Sequence, residues 1–202
     1  PYGVFAIIAA VVAQLGLEFL LSLIWYAGVT LAVMAIFFFV FYFLAIKFLS
    51  KMSPIKFFKE IKPVALVAFS TSSSNATLPE NMEVCREKFG VSNEVVSFTL
   101  PLGATINMNG TAIYQGISVM FIVQVFGADL TIAQQLMVVL TASLSSVGTA
   151  GVPGIGMVTL ALVLGSVGLP PTGIAMVLGV ERILDMARTV LNVTGDAAAA
   201  VI

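Results

Sequence analysis

Histidine is absent from these 202 residues, and cysteine and tryptophan occur once each. Without histidine there is no imidazole to exchange protons near neutral pH and no nitrogen ligand for a zinc site. The lone Cys85 cannot build a disulfide framework, and its polar setting, MEVCREKFG, offers it no partner. Charge is scarce as well: Asp, Glu, Lys and Arg make up 9% of the chain, against roughly 25% in soluble domains. With 59% hydrophobic residues, the chain reads as an integral membrane protein. Nine basic and ten acidic residues give a net charge of -1, which excludes the basic surface that nucleic acid would need. No charged segment of the signal-peptide kind precedes the first apolar run. The chain opens at Pro1, directly in apolar residues, and is expected to be the C-terminal part of a longer protein.

What is present is a set of charge-free runs with polar interruptions. Residues 1–17 form the first run, closed by Glu18, and residues 19–46 the second. As a helix the second would be about 42 Å long, more than the roughly 30 Å hydrocarbon layer, so a tilted helix preceded by a turn is expected. Trp25 and Tyr26 suit its interfacial belt. Lys47, Lys51, Lys56, Lys59 and Lys62 come next, then apolar PVALVAFS, the serine-rich TSSSNATLP, and ENMEVCREKFG with Arg86 and Lys88. Basic clusters thus flank both sides of a segment whose arms are too short to span. A re-entrant hairpin over residues 54–90, with its tip at 72–75, keeps both clusters on the cytoplasmic side.

The third run carries GATINMNGT at 103–111. Two glycines, two asparagines and two threonines predict a helix over 92–127 that breaks inside the membrane, where irregular backbone is tolerated only against protein or a wet cavity. The fourth run is interrupted by SSVGTAGVPGIG at 145–156, which predicts a second re-entrant hairpin at 130–168, entered from the opposite side. A last helix is expected over 172–202. The expectation is therefore an all-α integral membrane protein with an inverted-repeat transporter core, two re-entrant helical hairpins and a broken transmembrane helix.

The last helix carries the densest chemistry. At 100° per residue, Glu181, Asp185, Arg188, Asn192 and Asp196 share a sector of roughly 80°, with Thr189 at its edge and Arg182 about 100° from Glu181. Ionisable groups at mid-membrane cost about 2.5 to 3.5 kcal/mol each, so this stripe should face protein or water. A seam that only glues helices together should balance its charge. Here three carboxylates face one guanidinium, which calls for bound cations or protons. An intramembrane aspartyl protease needs two facing aspartates; Asp185 and Asp196, about 16 Å apart along one helix, cannot form that dyad. A channel would need a continuous pore, which a stripe of both signs with gate-like tips does not suggest.

Four stretches, TSSSNATLP, LPLGATINMNGT, SSVGTAGVPG and LDMARTVLNVTGD, resemble in order and spacing the glutamate/aspartate transporters, also called dicarboxylate/amino acid:cation symporters. The resemblance covers the whole chain, from what looks like the fifth transmembrane helix onward. It implies a scaffold-type helix at 1–18 and a transport domain at 19–202. It implies that Arg188 forks onto the substrate's side-chain carboxylate, aided by Thr111, that Asp185 takes the amino group with Thr189 nearby, and that Asn192 with Ser72, Ser73 and Ser74 holds the main-chain carboxylate. Val152 and Gly154 of the second tip would close over the substrate as an extracellular gate. Asp196, with carbonyls of Gly103, Asn107 and Asn192, would hold one Na+. Thr105 and Met108, with second-tip carbonyls of Ser146, Val147 and Thr149, would hold another.

Three departures from the family's pattern stand out. Asn109 replaces an aspartate that belongs to a third sodium site, which leaves fewer sodium ions, or H+, to couple. Glu181 stands where aspartate is common. Ser72 and Met186 occupy positions where the family often carries an arginine, so the usual partner of Glu181 is missing and Arg182 points poorly. The implied function is symport of L-glutamate or L-aspartate, with no enzymatic step. The expected setting is the cell (inner) membrane, as a multi-pass protein in the lipid bilayer and a homotrimer. A C4-dicarboxylate:cation symporter, or an anion channel of the same family, is the alternative; Asp185 speaks for an amino acid, because succinate has no ammonium.

Overall fold

The computed structural model describes residues 2–202, and all regular structure among them is helical. Helix α1 (Tyr2–Leu15) has no buried residue and stops at Gly16, whose φ of +83° turns the chain. Helix α2 (Glu18–Ile36) buries Phe19, Leu23, Tyr26, Thr30 and Met34, one stripe at three- and four-residue spacing. The next inward residue is Tyr42. An unbroken α-helix would carry it roughly 80° off that stripe. A π turn at Phe37–Phe41 absorbs the extra residue, so α3 (Tyr42–Leu49) continues with Tyr42 and Ile46 buried. Together Glu18–Leu49 runs 32 residues, and it is the one helix among the described residues long and apolar enough to cross a membrane.

Two helix pairs follow the same plan. Helix α4 (Pro54–Glu60) leads into α5 (Lys62–Thr71), which ends at Ser72 in the left-handed region (φ 53°). Ser73 then caps α6 (Ser74–Glu87), its Oγ accepting from Ala76 N at 3.1 Å. Helix α9 (Ile132–Ser146) starts in a capping box of Thr131 and Gln134, and α10 (Ile155–Ser166) packs against it. Between them residues 147–154 leave the helix. Helices α7 (Asn93–Ile106) and α8 (Asn109–Val125) are separated by Asn107 and Met108, whose dihedrals are not helical.

Helix α11 (Glu181–Val201) forms the centre, with α2, α3, α5, α6, α7 and α8 all packed on it. The α-helix begins nine residues later than the expected 172: Pro171–Met176 is a 3-10 segment. Gly173 sits there so close to α8 that a Cβ would come within 2.7 Å of Ile122. That close packing, beside the Pro170–Pro171 pair, favours the tighter turn over an α-helical start.

Candidate functional site

The polar stripe of α11 is buried throughout: Glu181, Asp185, Arg188, Thr189, Asn192 and Asp196 are each no more than 8% exposed. Arg188 organises it. Its Nε donates to Asp185 Oδ1 at 2.9 Å, its Nη2 lies 2.7 Å from the same oxygen, and Nη2 is also 3.2 Å from Glu181 Oε1. Arg182 is exposed and takes no part. The missing partner of Glu181 is therefore Arg188 itself. Tyr114 of α8 supports the guanidinium from below, with its ring centroid 4.8 Å from the Arg188 carbon. Yet Arg188 Nη1 is buried with no hydrogen bond, as are both Glu181 oxygens and Ser72 Oγ. Orphaned buried groups of this kind mark a place for a ligand.

Arg188 and Ser72 line a cleft that draws on four regions of the chain. The first tip contributes Ser72 and Ser74, the helix interruption Met108 and Thr111, and α11 contributes Asp185, Arg188, Thr189 and Asn192. The second tip closes it with Gly151 and Val152. Ser73, expected among the ligands, turns instead to the opposite tip and donates to Gly151 O at 2.7 Å, an oxygen that also accepts from Asn75 N at 3.1 Å. Gly154 N donates to Asp185 Oδ2 at 2.9 Å. Thr189 Oγ1 is engaged with Asp185 O at 2.8 Å. Asn192 accepts from Gly110 N at 2.8 Å and offers Nδ2 to Thr111 Oγ1 at 3.3 Å. The substrate residues read from the sequence thus converge, with Asp185 and Arg188 paired to each other and the two tips latched together.

The first set of expected cation ligands also gathers. Asn107 Nδ2 donates to Asp196 Oδ1 at 2.8 Å and to Asn192 O at 3.3 Å. Gly103 faces Asp196 so closely that a Cβ would lie 2.5 Å from Oδ1. Asn109, the departure from the family's aspartate, donates to Asn107 Oδ1 at 2.7 Å and to Tyr42 Oη at 3.4 Å. Of the second set, Thr105 meets the second tip through Gly148 N, which donates to Thr105 O at 2.8 Å. This brings Ser146, Val147 and Thr149 beside the helix interruption. Met108 Sδ accepts instead from Asn192 Nδ2 at 3.1 Å. The Asp196 carboxylate is thus buried with the Asn107 amide as its hydrogen-bond partner, and carboxylate and carbonyl oxygens are the ligands that hard cations take.

Tyr114, Tyr42 and Gly151 join this network without having been singled out in the sequence, and Gln115 lies buried beside it on α8. Thr111, Gln115 and Ser118, four and three residues apart on α8 and all buried, form a second polar stripe whose spacing could have revealed Gln115. The part played by Gly151 depends on which tip its carbonyl meets, and spacing carries no signal for that.

Known proteins resemble this chain in sequence. The family model described as Sodium:dicarboxylate symporter family matches residues 1–202. The chain is 44% identical over 202 residues to the "Proton/sodium-glutamate symport protein" of Bacillus subtilis (strain 168), covering 100% of this chain and 47% of that protein. It is 43% identical over 204 residues to the "Proton/glutamate-aspartate symporter" of Escherichia coli (strain K12), covering 100% and 46%. To "Excitatory amino acid transporter 5" of Homo sapiens it is 43% identical over 153 residues, 76% of this chain and 27% of that protein. The chain spans about half the length of the curated relatives it matches first. With its family model matched from end to end and its charged stripe buried on a central helix, this chain belongs to the sodium:dicarboxylate symporter family of membrane transport proteins.

Proposed function

We propose that the full-length protein is a secondary active symporter that carries L-glutamate or L-aspartate together with Na+ or H+. The single observation behind this is the buried guanidinium of Arg188, which lines a cleft and whose Nη1 amino group has no hydrogen-bond partner. A carboxylate is the ligand that satisfies it. In this reading Arg188 and Thr111 hold the side-chain carboxylate, while Ser72, Ser74 and Asn192 hold the main-chain carboxylate beside the N-terminus of α6. The substrate's ammonium takes Asp185, with Thr189 behind it, in exchange for the Gly154 N–H. The names of the relatives, which include glutamate, aspartate, proton and sodium, support the same substrate class and leave both cations in play.

One Na+ sits at Asp196 with carbonyls of Gly103, Asn107 and Asn192. A second sits between Thr105, Met108 and the carbonyls of Ser146, Val147 and Thr149. Asn109 supplies an amide where a third cation would need a carboxylate, so this carrier couples fewer ions than a member with aspartate there. The helix pairs at 54–90 and 130–168 are re-entrant hairpins, since α5 and α10, at 10 and 12 residues, reach only about 15 and 18 Å, half of a hydrocarbon layer. The helix over 92–127 breaks in mid-membrane. Residues 19–202 form the transport domain, and 1–18 are a scaffold-type helix. The assembly is a homotrimer, multi-pass in the cell (inner) membrane, and it performs no chemistry on its substrate.

A C4-dicarboxylate is the second reading. It is favoured by one contact: Asp185 is already matched by Arg188 and Gly154 N, so it does not require an ammonium. Calorimetric titration of the purified full-length protein in Na+ with L-aspartate, L-glutamate and succinate separates the two. Binding of either amino acid, with succinate at least about tenfold weaker, upholds the amino acid site. Tighter binding of succinate overturns it.

A further inference from the structure

Gln115 is wholly buried, has no part in the substrate or cation contacts above, and sits on α8 between both arms of the second helix pair. Ser145 Oγ donates to its Oε1 at 3.0 Å, and its Nε2 donates to Thr159 Oγ1. Ser145 lies one residue from the end of α9, and Thr159 lies in the second turn of α10. One amide therefore ties the tip-proximal ends of both arms to a single turn of α8. The Thr159 hydroxyl in turn donates to Gly156 O at 3.2 Å, and Ser145 Oγ also lies 3.3 Å from Ala142 O. One residue earlier, Tyr114 donates to Met157 Sδ at 3.0 Å and adds a second tie to α10.

Beyond these ties the tip is held differently. Gly148 N meets Thr105 O, Gly151 O meets Ser73 Oγ, and Gly154 N meets Asp185 Oδ2. Each contact goes to a different element, and each can break without disturbing Gln115. The tip also contains its own points of flexure, Gly148 and Gly154, both at φ +79°. A buried amide parted from both partners carries a desolvation cost that an exposed tip contact does not.

We infer that Gln115 is a positioning residue that clamps the roots of both arms, so that opening of the gate is a movement of residues 146–158 about Ser145 and Thr159. The inference rests on the reading of the second helix pair as the gate. With the clamp cut, the arms lift together and the substrate-free carrier is open for more of the time. Ligand then has to draw on a smaller closed population, and its apparent affinity falls by the same factor.

The test uses the full-length protein in proteoliposomes, freed of native cysteines and carrying Pro153→Cys on the exposed tip. The rate of modification by a membrane-impermeant thiol reagent is measured with and without L-aspartate. In this parent, L-aspartate should slow modification. Adding Gln115→Leu should raise the ligand-free rate by about 5- to 25-fold, the range expected from losing one or both of two ordinary hydrogen bonds. Ser145→Ala with Thr159→Val should give the same rise, and adding Gln115→Leu to that pair should give nothing more, because all three act on one set of bonds. A parent that L-aspartate fails to protect contradicts the gate reading itself. A protected parent with an unchanged Gln115→Leu rate, or with effects that simply add, overturns the clamp. Should Gln115→Leu not yield folded protein, the Ser145→Ala/Thr159→Val pair, at partly exposed positions, carries the same prediction alone.

Discussion

Arg188 is held by Asp185, Glu181 and the ring of Tyr114, while its Nη1, close against Gly156, has no hydrogen-bond partner. Replacing it with lysine keeps the charge that Asp185 and Glu181 need but loses the planar fork and the free N–H. Arg188→Lys should therefore weaken L-aspartate binding by about 10- to 100-fold, read by calorimetry, while the thermal midpoint stays near that of the wild type. Two glycines make sharper probes. A methyl group at Gly156 would strike the Arg188 guanidinium, so Gly156→Ala should displace it and lower affinity without removing any polar atom. A methyl group at Gly103 would press on the Asp196 carboxylate. Gly103→Ala should raise the Na+ concentration needed for half-maximal L-aspartate binding several-fold, with affinity at saturating Na+ little changed. An unchanged Na+ requirement would remove Asp196 from the cation site. At this scale the sequence was informative wherever helical spacing alone defines a face: the α11 stripe could be drawn from its numbering. It was silent on who pairs with whom, since Arg188 meeting Glu181 and Asp185 depends on rotamers that spacing does not set.

At the scale of elements, the two tips behave as complementary halves of one latch. Ser73 both caps α6 and donates to Gly151 O on the other tip. Ser73→Ala loses the cap, at about 0.5 to 2 kcal/mol, and the bridge with it. The expected result is a thermal midpoint lowered by several degrees in the absence of substrate, checked by a melting curve with and without L-aspartate. A midpoint unmoved in both conditions would show that the tips are not held together through Ser73. The tips and the helix interruption were legible because serine, glycine, asparagine and proline cluster there inside apolar sequence. The π turn in Phe37–Phe41 was not, because it exists only to return Tyr42 to the face where its hydroxyl can reach Leu191 O at 2.9 Å. The late start of α11 was hidden for a related reason. Residues 172–180 are apolar enough for helix, and only the close approach of Gly173 to Ile122 selects the tighter turn.

For the whole molecule, the buried polar stripe on α11 contrasts with an apolar exterior. Leu17, Trp25, Phe48 and Ile132 are each more than 70% exposed, surface that suits lipid or further membrane helices and not water. The class was readable from composition alone, because 9% charge leaves too little polar surface to cover a soluble domain. A buried guanidinium with an unpartnered Nη1, two acids paired with it, and a third acid set apart beside Asn107 fit the proposed carriage of an anionic solute with a cation. The most direct measurement is uptake of labelled L-aspartate into proteoliposomes of the full-length protein, with Na+ and H+ gradients imposed separately and Arg188→Lys run alongside. The account predicts concentrative uptake under at least one gradient and its near loss in Arg188→Lys. No uptake under either gradient, or uptake that Arg188→Lys leaves intact, would contradict it.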